Sequence, residues 1–412
     1  MRFITIILIL ISVSIFASEF TNEYYLKDIV SNFNLSIVPE QCDSEFITYS
    51  NKYDKVIFKK FSRKVYFNNT LYWLNDAFYP SKSNGWFVSE QDYTKMLMPL
   101  FVEHSSTNSI EDFVVFIDPG HGGVDSGACY SSATNLKESD IVFNISTNLA
   151  TLLKDSGIQV FMSRTNDQFV TLTDRTKMAN EVKSSVFISV HVNAAFGTSA
   201  CGFETYTLPL GHSFSTSGNS KPRLYLGNNN DIFNSLLGYS IHNALLNDFP
   251  NQYDRGVKHA RFEVLKNINC PAILVECGFI SNKAERKLLA DTEYQRLISE
   301  SIFRGVTNYI RSVADVNDYI LDKGINTIVY VEPVLTNKIS VFTNDLQAVA
   351  AVGDYISNNI ETIFYVEPML TNNICVLTND LQCVEVSSNA TVNEKCESSD
   401  GKSSKVYGLR SK

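Results

Sequence analysis

Residues 114–127 read VVFIDPGHGGVDSG: a β-branched run, then a turn holding one histidine, two aspartates and several glycines. A glycine-rich turn after a strand often cradles phosphate. Gly120 and Gly122 have dinucleotide-fingerprint spacing, but Asp125 stands where the third glycine belongs. A carboxylate there would face the pyrophosphate it should welcome. The nucleotide reading is weak, and His121 in the middle of the turn needs another purpose.

Outward from this turn, residues of about 113–313 alternate between strand and helix patterns. Strands are expected at FVVFID (113–118), IQVFMS (158–163), SVFISVHV (185–192), FETYTL (203–208) and AILVECGF (272–279). Helices are expected over 137–157, 172–185, 231–249 and 291–313, with Thr173 and Asp291 as N-caps. Buried apolar strands alternating with helices predict an α/β fold. Its sheet should be mostly parallel and twisted, flanked by helices on both faces. Functional side chains in such folds gather beyond the carboxyl ends of the strands.

The flanks differ in kind. The first 18 residues carry Arg2, an apolar run from Phe3 to Phe16 and small residues at Ala17 and Ser18. The run falls short of the about 20 residues that span a bilayer, and it has the dimensions of a secretory signal peptide. Residues 19–111 read as a small β-containing N-terminal module, with a turn at Asn68–Asn69 inside KVYFNNTLYWLNDAFYP (64–80). The catalytic-type segment is placed at 112–314. Over 315–385 a duplication appears: INTIVYVEPVLTNKISVFTNDLQ (325–347) recurs as IETIFYVEPMLTNNICVLTNDLQ (360–382), and paired strands are expected there. Residues 386–412 have the composition of a disordered tail.

The chain of 412 residues has a net charge of −9 and no basic cluster, which argues against nucleic acid as a partner. Its eight cysteines contain no CxxC pair, so a thiolate zinc site of the usual spacing is not expected. Cys375 and Cys383 occur only in the second copy of the duplication. A local disulfide and two independent substitutions both explain them. An exported chain with no membrane span after signal removal is expected, in the periplasm, cell wall or extracellular space.

The residues that stand out chemically are His121, Glu138, His191 and Glu276. His121 and His191 lie at or near strand ends, Glu138 opens a helix, and Glu276 interrupts an apolar strand. A charge inside such a strand is costly unless it is paired or coordinated. Two imidazoles and a carboxylate can hold a catalytic zinc, and a further carboxylate can serve as general base. Spacing alone leaves a second reading open, in which the histidines are hydrogen-bonded core groups and Glu138 complements its helix dipole. Asp118 and Asp125 read as groups that hold His121 or as turn formers. Cys277 should point to the opposite face from Glu276.

VVFIDPGHGGVDSGA, LKESDIVFNIS, SVFISVHVNAA and DRGVKHARFEVLKNINCPAILVECGFISNKAERKLL together resemble the zinc-dependent N-acetylmuramoyl-L-alanine amidases of the Amidase_3 type, over about 113–313 and in the family's order. The resemblance implies a zinc ion (Zn2+) on His121, Glu138 and His191, with Glu276 as the catalytic carboxylate. Asn193 is a candidate for substrate contact or for closing a turn, and Arg255 for orienting a substrate carboxylate or for a structural role in its loop. It also implies peptidoglycan as substrate, cut between the lactyl group of N-acetylmuramic acid and L-alanine. Another zinc amidohydrolase or peptidase, or an inactive wall-binding regulator, are the alternatives. The duplicated region is expected to bind wall or a protein partner, with packing on the catalytic segment as the alternative.

Overall fold

The computed structural model describes residues 23–81, 85–102, 113–130, 136–217, 221–324 and short strands at 340–341, 365–366, 373–377 and 383–387. The expected signal peptide and tail lie outside the described residues. So do the side chains of Cys375 and Cys383.

One large sheet organises residues 23–324. Its strands are β1 (Glu23–Tyr25), β2 (Ser36–Ile37), β3 (Phe46–Ser50), β4 (Lys55–Lys59), β5 (Ser62–Phe67), β6 (Thr70–Ser81), β7 (Gly85–Ser89) and β8 (Val114–Pro119). After a small hairpin of β9 (Cys129–Tyr130) and β10 (Leu136–Lys137) come β11 (Gln159–Met162), β12 (Val186–Asn193), β13 (Phe203–Thr207), β14 (Asp254–His259) and β15 (Ala272–Phe279). The spatial order is β11-β8-β12-β15-β13-β14-β6-β5-β4-β3-β2, with β7 bridging β6 and β1.

The sheet is mixed, which corrects the mostly parallel expectation. Strands β11, β8, β12 and β15 run parallel, but β13 pairs antiparallel with β15. The β-containing N-terminal region continues this sheet: β14 pairs parallel with β6 at Val257 and Tyr72, and the strands before it are antiparallel. The turn expected at Asn68–Asn69 joins β5 to β6, with both residues at positive φ (47° and 69°) as a two-residue hairpin of matching twist requires.

The helices used below are α1 (Glu138–Asp155), α2 (Leu172–Glu181), α3 (Asp231–Asp248), α4 (Lys283–Leu289) and α5 (Thr292–Lys323). Asp291 caps α5 by accepting from the Glu293 amide, as the sequence predicts. The α2 cap is Thr171 rather than Thr173: its hydroxyl accepts from the Asp174 amide two residues upstream of the expected position. Helix α5 runs past residue 313 to Lys323 and stops at Gly324, in left-handed conformation.

Side chains alternate between the two sheet faces. Val115, Ile117, Ile188, Val190, Ile273 and Val275 pack with α1, α3 and α5 in the larger core. Phe116, Phe187, Ala272 and Leu274 point the other way, into a smaller cluster with Ala179 of α2 and Val264. The polar residues in phase with that second set emerge where its apolar cover ends. This is the face that carries the site.

A buried histidine ties β14 to its neighbours. His259 Nε2 donates to the Trp73 carbonyl at 2.7 Å, and its Nδ1 meets the Thr207 hydroxyl at 2.8 Å. Burial outweighs the Trp73 hydrogen bond and holds its pKa down at about 4, from 6.5. The folded state therefore favours neutral His259, and its contribution is complete above pH 6.5 and lost as pH falls towards 4. Denaturant midpoints should show up to about 3 kcal/mol of acid-linked destabilisation over that window. In His259→Gln the slope should flatten. An unchanged slope would assign it elsewhere.

Beyond residue 325 the described strands form a second unit. Ser340–Val341 pairs parallel with Tyr365–Val366, and Asn373–Leu377 pairs antiparallel with Cys383–Ser387. Among the described residues no helix is long and apolar enough to cross a membrane.

Candidate active site and metal centre

The DPGHGG turn leaves β8 at its carboxyl end. His121 itself adopts left-handed backbone, with φ 58°. For a non-glycine residue this costs of order 1 kcal/mol or more and persists only where the surroundings impose it. Two buried arginines impose it here. Arg164 is 1% exposed and donates to the carbonyls of Pro119 (3.0 Å), Gly120 (2.9 Å) and Ser139 (2.9 Å). Arg175 donates to the carbonyls of Pro119 (2.8 Å) and His121 (2.8 Å) and to Asp118 Oδ1 (2.6 Å). Asp118 also accepts from the hydroxyls of Ser163 (2.6 Å) and Ser189 (2.8 Å). It anchors the arginine scaffold under the turn and does not contact the imidazole. Arg164→Met would remove its hydrogen bonds to the Gly120, Ser139 and Asn166 carbonyls and leave Pro119 to Arg175 alone. A loss on the order of 3 kcal/mol is expected in the denaturation midpoint.

Asp125 holds His121 directly. Its Oδ2 lies 2.9 Å from Nδ1, which leaves Nε2 facing Glu138 Oε1 at 3.2 Å. That arrangement fixes which nitrogen is presented to a ligand. His191, near the end of β12, brings Nδ1 to 3.0 Å from the same Glu138 oxygen. Gly120 makes this possible, because a Cβ there would sit 2.4 Å from His191 Cε1.

Glu138 is the first residue of α1, so its carboxylate meets the positive end of the helix dipole. Its Oε2 accepts from the Ala128 amide (2.8 Å) and its Oε1 from the Val192 amide (3.0 Å). Burial raises its pKa, but hydrogen bonds and charge from His121 and His191 outweigh burial and hold it well below the usual carboxylate range. At His121 burial lowers basicity, and Glu138 and Asp125 more than reverse this.

The ligand atoms of His121, Glu138 and His191 all lie within 4.8 Å of one another. Two imidazoles and one deprotonated carboxylate, converging on one point and oriented from behind, are the donor set of an open catalytic zinc site. The residues present fit such an ion.

Glu276 stands beside this triad. It pairs in register with His191 across the parallel β12–β15 ladder, on the same sheet face. Its residue exposure is 9%, and Oε2 is buried with no hydrogen-bond partner among the described residues. Burial, then the charges of Glu138 and Glu204, push its carboxyl well above the ordinary range. A buried carboxylate with nothing to bond is costly. Cys277 points to the opposite face, into the larger core, as expected.

Asn193 and Arg255 do not join the triad. Both bind Glu204: Asn193 Nδ2 donates to Oε2 at 2.9 Å, and Arg255 Nε donates to Oε1. Sequence reasoning overlooked Glu204, yet the argument that singles out Glu276 applies to it equally. It is a carboxylate inside an expected strand, FETYTL, that the fold buries. The described parts of the polar segment 209–230 are tied to the fold. Thr216 Oγ1 accepts from the His259 amide, and Asn228 Nδ2 donates to the Pro209 carbonyl.

Residues 115–308 match the family model described as N-acetylmuramoyl-L-alanine amidase. The chain is 34% identical over 200 residues to the protein YqiI of Bacillus subtilis (strain 168), covering 48% of this chain and 86% of that one. It is also 34% identical over 198 residues to the sporulation-specific N-acetylmuramoyl-L-alanine amidase of the same organism, covering 47% of this chain and 65% of the relative. Of the 31% identical amidase LytC it spans 38%. Among solved structures, an N-acetylmuramoyl-L-alanine amidase from Clostridium difficile 630 shares 33% identity, with a TM-score of 0.41, over 48% of this chain and 97% of that one. With the family model lying over the strands and turns that build the triad, and YqiI matched along most of its length, the chain belongs to the N-acetylmuramoyl-L-alanine amidase family of hydrolases.

Proposed function

We propose that the protein is an exported, zinc-dependent N-acetylmuramoyl-L-alanine amidase. It hydrolyses the amide between the lactyl group of N-acetylmuramic acid and the L-alanine of peptidoglycan. The observation that carries this reading is the unpartnered Glu276 carboxylate in register with His191, beside a His-Glu-His set that fits a metal.

His121, Glu138 and His191 would hold the zinc, which would supply Lewis acidity towards the amide carbonyl and lower the pKa of the attacking water. Asp125 keeps His121 Nδ1 occupied, so that Nε2 stays directed inward. The Glu276 carboxylate takes the proton of the attacking water and returns it to the departing amine of alanine. Burial raises the proton affinity of this carboxyl, and a dication on the neighbouring triad would oppose that push and favour the ionised form that accepts the proton. The arginine scaffold below the turn holds these groups in place without touching substrate. The duplicated C-terminal region contributes wall binding; removing residues 325–412 should weaken sedimentation with sacculi more than it lowers turnover on soluble muropeptides.

The test is product analysis on purified sacculi. Release of peptides bearing a free N-terminal alanine, with the glycan left unbroken, supports the reading. Cleavage inside the stem peptide alone would replace it with a peptidase.

A further inference from the structure

The geometry points to Glu204 as a positioning residue that builds a carboxylate-binding corner beside Glu276, for a free carboxylate on the stem peptide beyond the L-alanine. This rests on the amidase reading above.

Glu204 is 2% exposed and pairs in register with Glu276 across the antiparallel β13–β15 ladder. One row on one sheet face therefore runs from His191 through Glu276 to Glu204. Its acceptor capacity is filled. Oε1 takes Arg255 Nε and Lys258 Nζ (2.7 Å), and Oε2 takes Asn193 Nδ2 (2.9 Å) and the Tyr206 hydroxyl (2.8 Å). An ionised carboxylate has about four such acceptor sites, so Glu204 has none left for a proton-transfer role. Burial raises its pKa, but Lys258 and the other donors outweigh it and keep it ionised.

The two cations are brought together by a bulge. Positions three apart on a regular strand face opposite sides, so Arg255 and Lys258 should not share a partner. Between Phe203 and Thr205 the register advances two residues on β13 while β14 advances three, from Asp254 to Val257. Gly256 sits in that extra step at φ 87°, where a Cβ would meet Leu71 and Trp73 within 3 Å. The bulge turns both Arg255 and Lys258 onto Glu204.

Glu204 offsets one of the two cations, and Arg255 also lies within electrostatic reach of Glu285. What the corner offers an anion is the uncommitted end of the guanidinium rather than excess charge. Arg255 is braced on the Phe279 ring at 4.8 Å, and its side chain is 28% exposed. With Nε committed to Glu204, its terminal nitrogens have no partner among the described residues and form a fork of the kind that binds carboxylate bidentately. Lys258 is 15% exposed and adds a second donor. Near Glu138 and Glu276, whose charge would repel an anionic substrate, this is the place where an anion is welcome.

Two muropeptides that differ only in having the second stem residue's carboxyl free or amidated provide the test, with hydrolysis of sacculi measured in parallel. Wild-type protein should favour the free acid about tenfold, chiefly through KM. Glu204→Gln should reduce that ratio below about threefold by raising KM for the acid form. Arg255→Lys, which keeps the charge and loses the fork, should reduce it likewise. Tyr206→Phe removes a donor to Glu204 but neither cation, and should keep the ratio. No wild-type preference, or a loss in Glu204→Gln that falls equally on both substrates, would overturn the inference. Intact sacculi after treatment with wild-type protein would instead overturn the amidase reading itself.

Discussion

Glu276→Gln is expected to lower kcat about a hundred- to ten-thousandfold, the range that a positioned general base supplies, while zinc content and fold are retained. The substitution keeps the side chain's volume and removes its ability to take a proton. Oε2 has no hydrogen bond to lose, so the scaffold has little to readjust. Removing a carboxyl that burial and two neighbouring carboxylates strain should leave the metal-free protein at least as stable as wild type. A dication on the neighbouring triad opposes the upward push on Glu276, so that stability difference should shrink once zinc is bound. Steady-state turnover on soluble muropeptides, elemental analysis and thermal melts together read these outcomes. Turnover within a few-fold of wild type would remove Glu276 from the proton-transfer role.

His191→Ala should abolish stoichiometric zinc binding and lower turnover on the order of a thousandfold, corresponding to the several kcal/mol that a Lewis acid contributes. It removes one of three donors and opens a space against Gly120, whose missing side chain makes room for that ring. Glu138 would keep its two backbone donors, Ala128 and Val192, so the helix start should survive. Loss of zinc with the melt otherwise preserved would separate a ligand role from a packing role. Full zinc occupancy in the variant would contradict the assignment.

The parts of the molecule encoded locally were legible in the sequence. The apolar runs at 113–118, 185–192 and 272–279 fall within a residue of β8, β12 and β15, because buried central strands demand uninterrupted β-branched and aromatic residues. The Asn68–Asn69 hairpin was legible for the same reason, since its turn chemistry is local. Strand β14 was not recognised, because the Gly256 bulge breaks the alternation of DRGVKH. The antiparallel β13 and the junction of β6 with β14 were hidden too. Pairing direction and sheet order depend on contacts far apart in sequence, and no local pattern carries them.

The site divides along the same line. His121, Glu138, His191 and Glu276 drew notice because each is a reactive group at a strand end, at a helix start or inside an apolar strand. The groups that hold them did not. Arg164 and Arg175 look like ordinary charged residues, and only the fold shows both beneath the turn, donating to its carbonyls. Asp118 drew notice as a neighbour of His121, but it binds Arg175 instead. Glu204 carried a usable signal and was overlooked, and Arg255 takes its meaning from that residue.

The most direct test is to strip the purified protein with a chelator, measure amide hydrolysis on sacculi, and restore zinc in stoichiometric amounts. One zinc per chain before stripping, loss of N-terminal alanine release after it, and recovery on readdition are the expected results. A protein that carries no zinc as purified and hydrolyses the same amide at an undiminished rate after chelation would contradict a metal centre on His121, Glu138 and His191.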